Sequence, residues 1–317
     1  MENFELLVTE RADERSCDLS AMSIEEQVRL MNEENYRALD CLESQYDKIV
    51  RVIEKCVEAL KRGGRLIYMG AGTSGMIGWL DALECPPTFG LEPKRVLGLL
   101  AGGPDGFLHA GVEDHEENGR RDLEKIDLCQ DDLVIGLAAS GRTPYVMGGL
   151  RYASKVGASI AAIVCNEKSP ISQLCPLTIE ALSGPEVLTG STRLKAGTAT
   201  KLVCNMISTL SMVELGKVYK NYMVDVQMSN EKLVDRGGRI VCDTTGCSRQ
   251  EALKTLEGRL SCEVCDRHAD ERVFERRSLC AIRQGRWQDR PVVEIGKSNK
   301  INRAVAFTAL FVFPSLL

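Results

Sequence analysis

Gly64-Arg65-Leu66-Ile67-Tyr68-Met69-Gly70-Ala71-Gly72-Thr73-Ser74-Gly75 decides the architecture. The apolar run Leu66–Met69 passes directly into a glycine-rich turn and then a helical segment. Such a run reads as a strand buried on both faces, and the handover through glycines to a helix opens a parallel α/β unit. The pattern recurs at Val96–Leu100, Leu133–Ala138 and Ser159–Val164, and Leu177–Ala181 supplies a fifth strand. The expected fold is α/β: a five-stranded parallel sheet flanked by helices, with ligands beyond the carboxyl ends of the strands.

Upstream, Ser23-Ile24-Glu25-Glu26 is a capping box, and Ile24, Val28, Met31 and Leu39 then mark a helical stripe. A second helix is predicted over Glu43 to Arg62, stopped by Gly63-Gly64. Downstream, a long helix is predicted from Leu194 to about Tyr219, and a helical patch over Val224 to Arg236. Gly237-Gly238 reads as a boundary, and Ser248 to Leu260 as one more helix. Beyond Cys262 the periodicity fades and arginines become dense.

The 317 residues carry 40 Lys and Arg against 45 Asp and Glu, a net charge of −5, and aromatics make up 5%. No strong basic field exists to hold nucleic acid or an anionic membrane. The acidic start Met1-Glu2-Asn3-Phe4-Glu5 is not a secretory signal, and the 14-residue run Ala304 to Leu317, interrupted by Pro314, is too short for an anchor. Thirteen scattered cysteines suit reduced thiols in a cytoplasm. Cys262, Cys265, His268 and Cys280 could be read as zinc ligands. No second paired knuckle follows and four arginines crowd the stretch, so unrelated thiols and no metal are expected.

Three strand-to-helix loops carry hydroxyls. The first offers Gly72, Thr73 and Ser74; the second Ser140, Gly141, Arg142 and Thr143 before Pro144; the third Ser191, Thr192 and Lys195. The first satisfies G-x-G-x-x-G, but the second strand ends Leu99-Leu100-Ala101-Gly102-Gly103, with no acid for a ribose. Hydroxyls beside exposed amides at a helix start suit a small terminal phosphate.

These loops, with Leu83-Glu84-Cys85-Pro86-Pro87-Thr88-Phe89-Gly90, Gly184-Pro185-Glu186-Val187-Leu188 and Lys195-Ala196-Gly197-Thr198, resemble N-acetylmuramic acid 6-phosphate etherases over roughly residues 6 to 260. The resemblance implies a three-layer sugar isomerase (SIS) fold and an intracellular homodimer with no metal or organic cofactor. It implies an N-terminal helical arm over 1–45, an SIS phosphosugar-binding domain over 46–236, the start of a small helical region over 237–262, and a divergent tail over 263–317. The chain departs from the family at Met76-Ile77-Gly78-Trp79, where an Arg-Leu-Gly sequence is usual.

The implied reaction removes D-lactate from C3 of N-acetylmuramic acid 6-phosphate by elimination, then adds water to give N-acetylglucosamine 6-phosphate. It needs a base at C2 and an acid at the ether oxygen. Glu84 sits in an apolar, proline-ended segment expected to desolvate it and favour its protonated form, which suits the acid. Glu113 matches the family's second glutamate, after a loop two residues shorter than usual, and is expected to be the base. If the helix opening at Ser74 is continuous, Glu84 lies about 15 Å along its axis and would serve a site on the partner subunit. A non-catalytic sugar-phosphate sensor, similar to glucokinase regulatory protein, is the alternative; that family joins two such domains, whereas this chain carries one set of loops and keeps Glu84.

Overall fold

The computed structural model describes residues 7–106, 111–224 and 231–260. Residues 261–317, which include the cysteine cluster, the apolar terminal run and the divergent tail, lie outside them. The described residues fall into two compact units, those within 7–85 and 92–211, and those within 86–91 and 212–260.

The first unit is built on five parallel strands: β1 (Leu66–Gly70), β2 (Val96–Leu100), β3 (Leu133–Ala138), β4 (Ser159–Val164) and β5 (Thr178–Glu180), in the order β2-β1-β3-β4-β5. Both central strands, β1 and β3, are buried at every position, as expected of apolar runs covered on both faces. Ile67, Met69, Val134, Ala162 and Val164 face a core shared with α4 (Glu116–Lys125), α5 (Pro144–Val156) and α6 (Pro170–Leu174), which contribute Leu123, Leu150 and Ile171. Tyr68 faces the other way, and its hydroxyl donates to the Cys204 carbonyl of α7 (Lys195–Glu214) at 3.2 Å. That layer also holds α3 (Gly72–Phe89) and α2 (Tyr46–Lys61). Three layers result, as the sequence predicted.

Glycine sets the distance between α4 and α5. A methyl on Gly119 would lie 1.9 Å from the Tyr145 carbonyl oxygen, and one on Gly148 2.1 Å from that of Glu116. The start of α4 is thereby pressed against the start of α5.

The N-terminal arm contains α1 (Ile24–Asp40), opened by the expected reciprocal cap between Ser23 and Glu26. The apolar stripe faces outward: Ile24 is 78% exposed and Val28 61%. The helix buries Leu30, Glu34 and Ala38 instead, because its inward face follows the charge of Glu34 rather than the longest apolar row.

The long helix stops earlier than predicted, at Glu214, because Gly216 turns the chain at φ +73°. In the second unit, β6 (Val218–Tyr219) and β7 (Tyr222–Met223) form a short antiparallel hairpin. Two helices follow, α8 (Glu231–Thr245) and α9 (Arg249–Leu260), around Val224, Ile240, Val241, Ala252 and Leu256. The boundary expected at Gly237-Gly238 lies inside α8. Both glycines are buried, and a methyl on Gly238 would sit 3.2 Å from Leu253 of α9. Here glycine serves close packing, not a break. No helix among the described residues is long and apolar enough to cross a membrane.

Candidate active site

In the order β2-β1-β3-β4-β5, the chain leaves β1 and β3 toward opposite faces of the sheet. A crevice opens between their carboxyl ends, the position where such sheets bind ligands. The first two hydroxyl-bearing loops flank it.

In the first loop, Gly72 adopts φ +52° and begins α3. A methyl on Gly75 would lie 2.5 Å from the Gly70 carbonyl oxygen, so the turn closes only with glycine there. The first N–H groups of a helix lack intrahelical partners, and Thr73 and Ser74 stand half-buried beside them. In the second loop, Gly141 at φ +70° donates its N–H to the Ala138 carbonyl at 2.9 Å. The Arg142 N–H donates to Ser140 Oγ at 3.3 Å. Thr143 precedes Pro144, and its side chain makes no capping bond to α5. The third loop joins the first: a methyl on Gly197 would lie 3.7 Å from Thr73 Cγ2 and 3.6 Å from the Thr192 carbonyl oxygen. Ser191 and Thr192 are half-buried there. Among the described residues no hydrogen bond uses the hydroxyls of Thr73, Ser74, Ser191 or Thr192.

Lys195 corrects the sequence reading. It is fully buried, and its ammonium pairs with the Glu34 carboxylate of α1 instead of standing ready for a phosphate. A buried lysine must meet an opposite charge, and the arm supplies it. Arg15 binds the same carboxylate at 2.7 Å and Arg37 at 3.4 Å. Glu186, which sequence reasoning did not single out, accepts the N–H groups of Ala196 at 2.9 Å and Lys195 at 3.2 Å. Burial raises its pKa, against those bonds. The first turn of α7 is therefore already capped by a carboxylate, leaving the loop before it for a ligand. A glutamate shortly before a helix start was the available signal.

Glu113 lies in the connection from β2 to α4. Its backbone carbonyl accepts the Tyr145 N–H at 3.0 Å, which ties it to the first turn of α5, two residues past Thr143. Its side chain is exposed, yet partial desolvation, then the charge of Asp114, raises its pKa. Both effects favour proton uptake, the requirement for a base.

α3 runs unbroken from Gly72 to Phe89 with Pro86 and Pro87 inside it. Glu84 therefore stands ten residues beyond Ser74, about 15 Å along the axis. The expected desolvation is absent in the single chain: Glu84 is exposed, because its face of α3 points outward together with Leu80 and Leu83. The carboxylate that is buried belongs to Asp81, one turn earlier. It accepts from Asn205 at 2.7 Å and Ser208 at 3.0 Å, and burial raises its pKa. An aspartate inside an apolar helical stretch was its sequence signal.

A separate cavity of about 580 Å³ runs along β2, lined by Trp79, Leu99, Asn118 and Arg121 among others. It contains none of the hydroxyl-bearing residues.

The SIS domain model matches residues 108–210, and the model of the glucokinase regulatory protein N-terminal SIS domain matches residues 48–154. An N-acetylmuramic acid 6-phosphate etherase of Francisella philomiragia is 52% identical, over 75% of this chain and 82% of that protein. N-acetylmuramic acid 6-phosphate etherase 2 of Enterococcus faecalis is 51% identical, over 80% of this chain and 87% of that protein. Among solved structures, a phosphoheptose isomerase from Francisella tularensis aligns with a TM-score of 0.45 at 15% identity, covering 59% of this chain and 100% of that chain. A phosphoheptose isomerase from Neisseria gonorrhoeae aligns with a TM-score of 0.43 at 14% identity, covering 60% of this chain and 98% of that chain.

Proposed function

The chain belongs to the N-acetylmuramic acid 6-phosphate etherase family and is an enzyme that cleaves that sugar phosphate; we propose that Glu113 acts as its base and Glu84 as its acid, in a site completed by a second copy of the chain. The observation that supports this reading is the hydrogen bond from the Tyr145 N–H to the Glu113 carbonyl, which ties the backbone of Glu113 to the start of the helix that follows Ser140 and Thr143.

The phosphate binds the hydroxyls of Thr73, Ser74, Ser140, Thr143, Ser191 and Thr192, with the amides around Gly72 and Gly141 and the charge of Arg142. In the open-chain aldehyde, Glu113 removes the C2 proton. The freed electron pair forms the C2–C3 double bond and expels the lactyl oxygen, which takes its proton from Glu84 and leaves as D-lactate. Water adds at C3, a proton returns to C2, and N-acetylglucosamine 6-phosphate results. Base and acid each contribute about 10²–10⁴-fold. Lys195 stays with Glu34 and holds the third loop in place.

The geometry of Glu84 supports the shared site. Leu80 at 53% exposure and Leu83 at 55% flank it on α3, an apolar face that a second copy would cover. That cover supplies the desolvation an acid needs, and the length of α3 carries Glu84 away from its own phosphate loop. A cytoplasmic setting belongs to the same reading: the ten described cysteines are free thiols, and burial pushes Cys56, Cys85 and Cys165 up to about 12.

The test is D-lactate release from N-acetylmuramic acid 6-phosphate, with solvent deuterium exchange at C2 of N-acetylglucosamine 6-phosphate. Glu84→Gln loses release and keeps exchange; Glu113→Gln loses both. Exchange at the wild-type rate in Glu113→Gln refutes the base assignment. Mixing Glu84→Gln subunits with Ser74→Ala/Ser140→Ala subunits restores release if sites are shared. Verified mixed dimers without recovery assign Glu84 to its own chain.

A further inference from the structure

The N-terminal segment reaches the carboxyl edge of the sheet from far away in the chain. Asn166, just past β4, is buried and clamps it. Its Oδ1 accepts the Val8 N–H at 2.8 Å and the Thr9 N–H at 3.4 Å. Its Nδ2 donates to Thr9 Oγ1 at 3.0 Å and to the Ala139 carbonyl at 3.1 Å. Ala139 immediately precedes Ser140. The next residue along the segment, Glu10, lies over the third loop: a methyl on Gly190 would sit 3.2 Å from Glu10 Oε2. Gly190 immediately precedes Ser191. The segment is therefore tied through Asn166 to the second hydroxyl loop and lays one carboxylate over the third.

Thr9 is buried and Glu10 is exposed, so the clamp fixes the backbone while leaving this side chain open. Among the described residues no hydrogen bond or ion pair engages the Glu10 carboxylate. An ionised carboxylate has only acceptor capacity and repels a phosphate. It suits the neutral donors of a sugar instead.

We propose that Glu10 is a specificity-determining residue of the phosphosugar site: following Thr9, which Asn166 clamps, and lying over Gly190 beside Ser191, it accepts a hydrogen bond from a hydroxyl or amide N–H of the sugar body. The inference rests on the phosphosugar reading of the three loops. It adds that the sugar lies on the arm side of them, and that the arm recognises it.

The experiment is calorimetric binding of N-acetylglucosamine 6-phosphate and of inorganic phosphate to the full chain, wild type against Glu10→Ala and Glu10→Gln. Wild-type lactate release serves as the separate control on the activity. Glu10→Ala is expected to weaken the sugar phosphate about 10- to 100-fold, the range for a hydrogen bond to a charged group. Glu10→Gln, which keeps an acceptor oxygen, is expected to lose less. Inorganic phosphate binds both variants as tightly as wild type, or more tightly as the repelling charge goes. Unchanged affinity of Glu10→Ala for the sugar phosphate overturns the proposal. So does an equal loss for inorganic phosphate, since Glu10 would then only support the loops. Wild type that binds the sugar phosphate without releasing lactate would refute the etherase chemistry and leave the Glu10 comparison decisive.

Discussion

The two ends of the same parallel sheet treat their polar groups in opposite ways. At the amino end, Arg65 donates to both carboxylate oxygens of Asp132, at 3.1 and 2.6 Å, and to the carbonyls of Ile126 and Asp127. Arg95 donates to the carbonyls of Gly63 and Leu60. Charges there are spent inside the fold. At the carboxyl end, four hydroxyls beside glycine turns carry no internal hydrogen bond among the described residues. An end whose donors are already engaged contributes stability and binds little. An end that holds donors in reserve can bind an anion, and stability must come from elsewhere.

The sharpest way to break this contrast is Asp132→Ala. Asp132 is fully buried, and removing one partner of a buried ion pair costs about 3–5 kcal/mol. Melting should fall by roughly 6–20 °C, at about 2–4 °C per kcal/mol, with kcat per folded molecule unchanged. An unaltered melting curve would mean that the amino end is not a stabilising clamp. Burial pushes the Asp132 carboxyl up, but the Arg65 hydrogen bonds and charge outweigh it and hold its pKa low. The pair's contribution is therefore full above the unfolded pKa of about 3.9 and is lost as pH falls through the lower folded value.

The converse substitution is Ser74→Ala with Ser140→Ala. Two hydrogen bonds to a charged phosphate are worth about 1.5–3 kcal/mol each, so KM should rise about 100-fold or more. Melting should move little, because the Ser74 hydroxyl makes no bond within the described fold and Ser140 Oγ accepts only one long bond, from the Arg142 N–H at 3.3 Å. Steady-state kinetics beside a thermal melt check both halves; unchanged KM would sink the phosphate assignment.

The smallest effect sharpens the role of Glu113. Its pKa is raised by partial desolvation first and by the Asp114 charge second. Asp114→Asn removes the like charge and lowers that pKa. A base works deprotonated, so the acid limb of kcat/KM should move to lower pH while the plateau stays. A limb that stays in place, or moves upward, assigns it to another group.

Much of this contrast was legible in the residues alone. Val96–Leu100, Leu133–Ala138 and Ser159–Val164 are strands over the predicted residues, because strands of a parallel sheet covered by helices are apolar along most of their length. Pro144 opens α5 and Ser23 caps α1 as expected, since both effects are complete within one turn. Gly237-Gly238 misled, because the same glycines that break an isolated helix allow α8 to approach α9.

By itself, then, the sequence determined the strands, the helix starts and the three hydroxyl loops, all features written over a few neighbouring residues. Tertiary structure alone decided which charges those loops keep. Lys195 looked like a phosphate ligand until Glu34, 161 residues away, took its ammonium. Glu84 looked desolvated until α3 turned it outward. Thr9 reached Asn166 across 157 residues. The physical reason is range. Propensity, capping and apolar periodicity act between neighbours along the chain, whereas burial of a charge depends on which distant element folds over it.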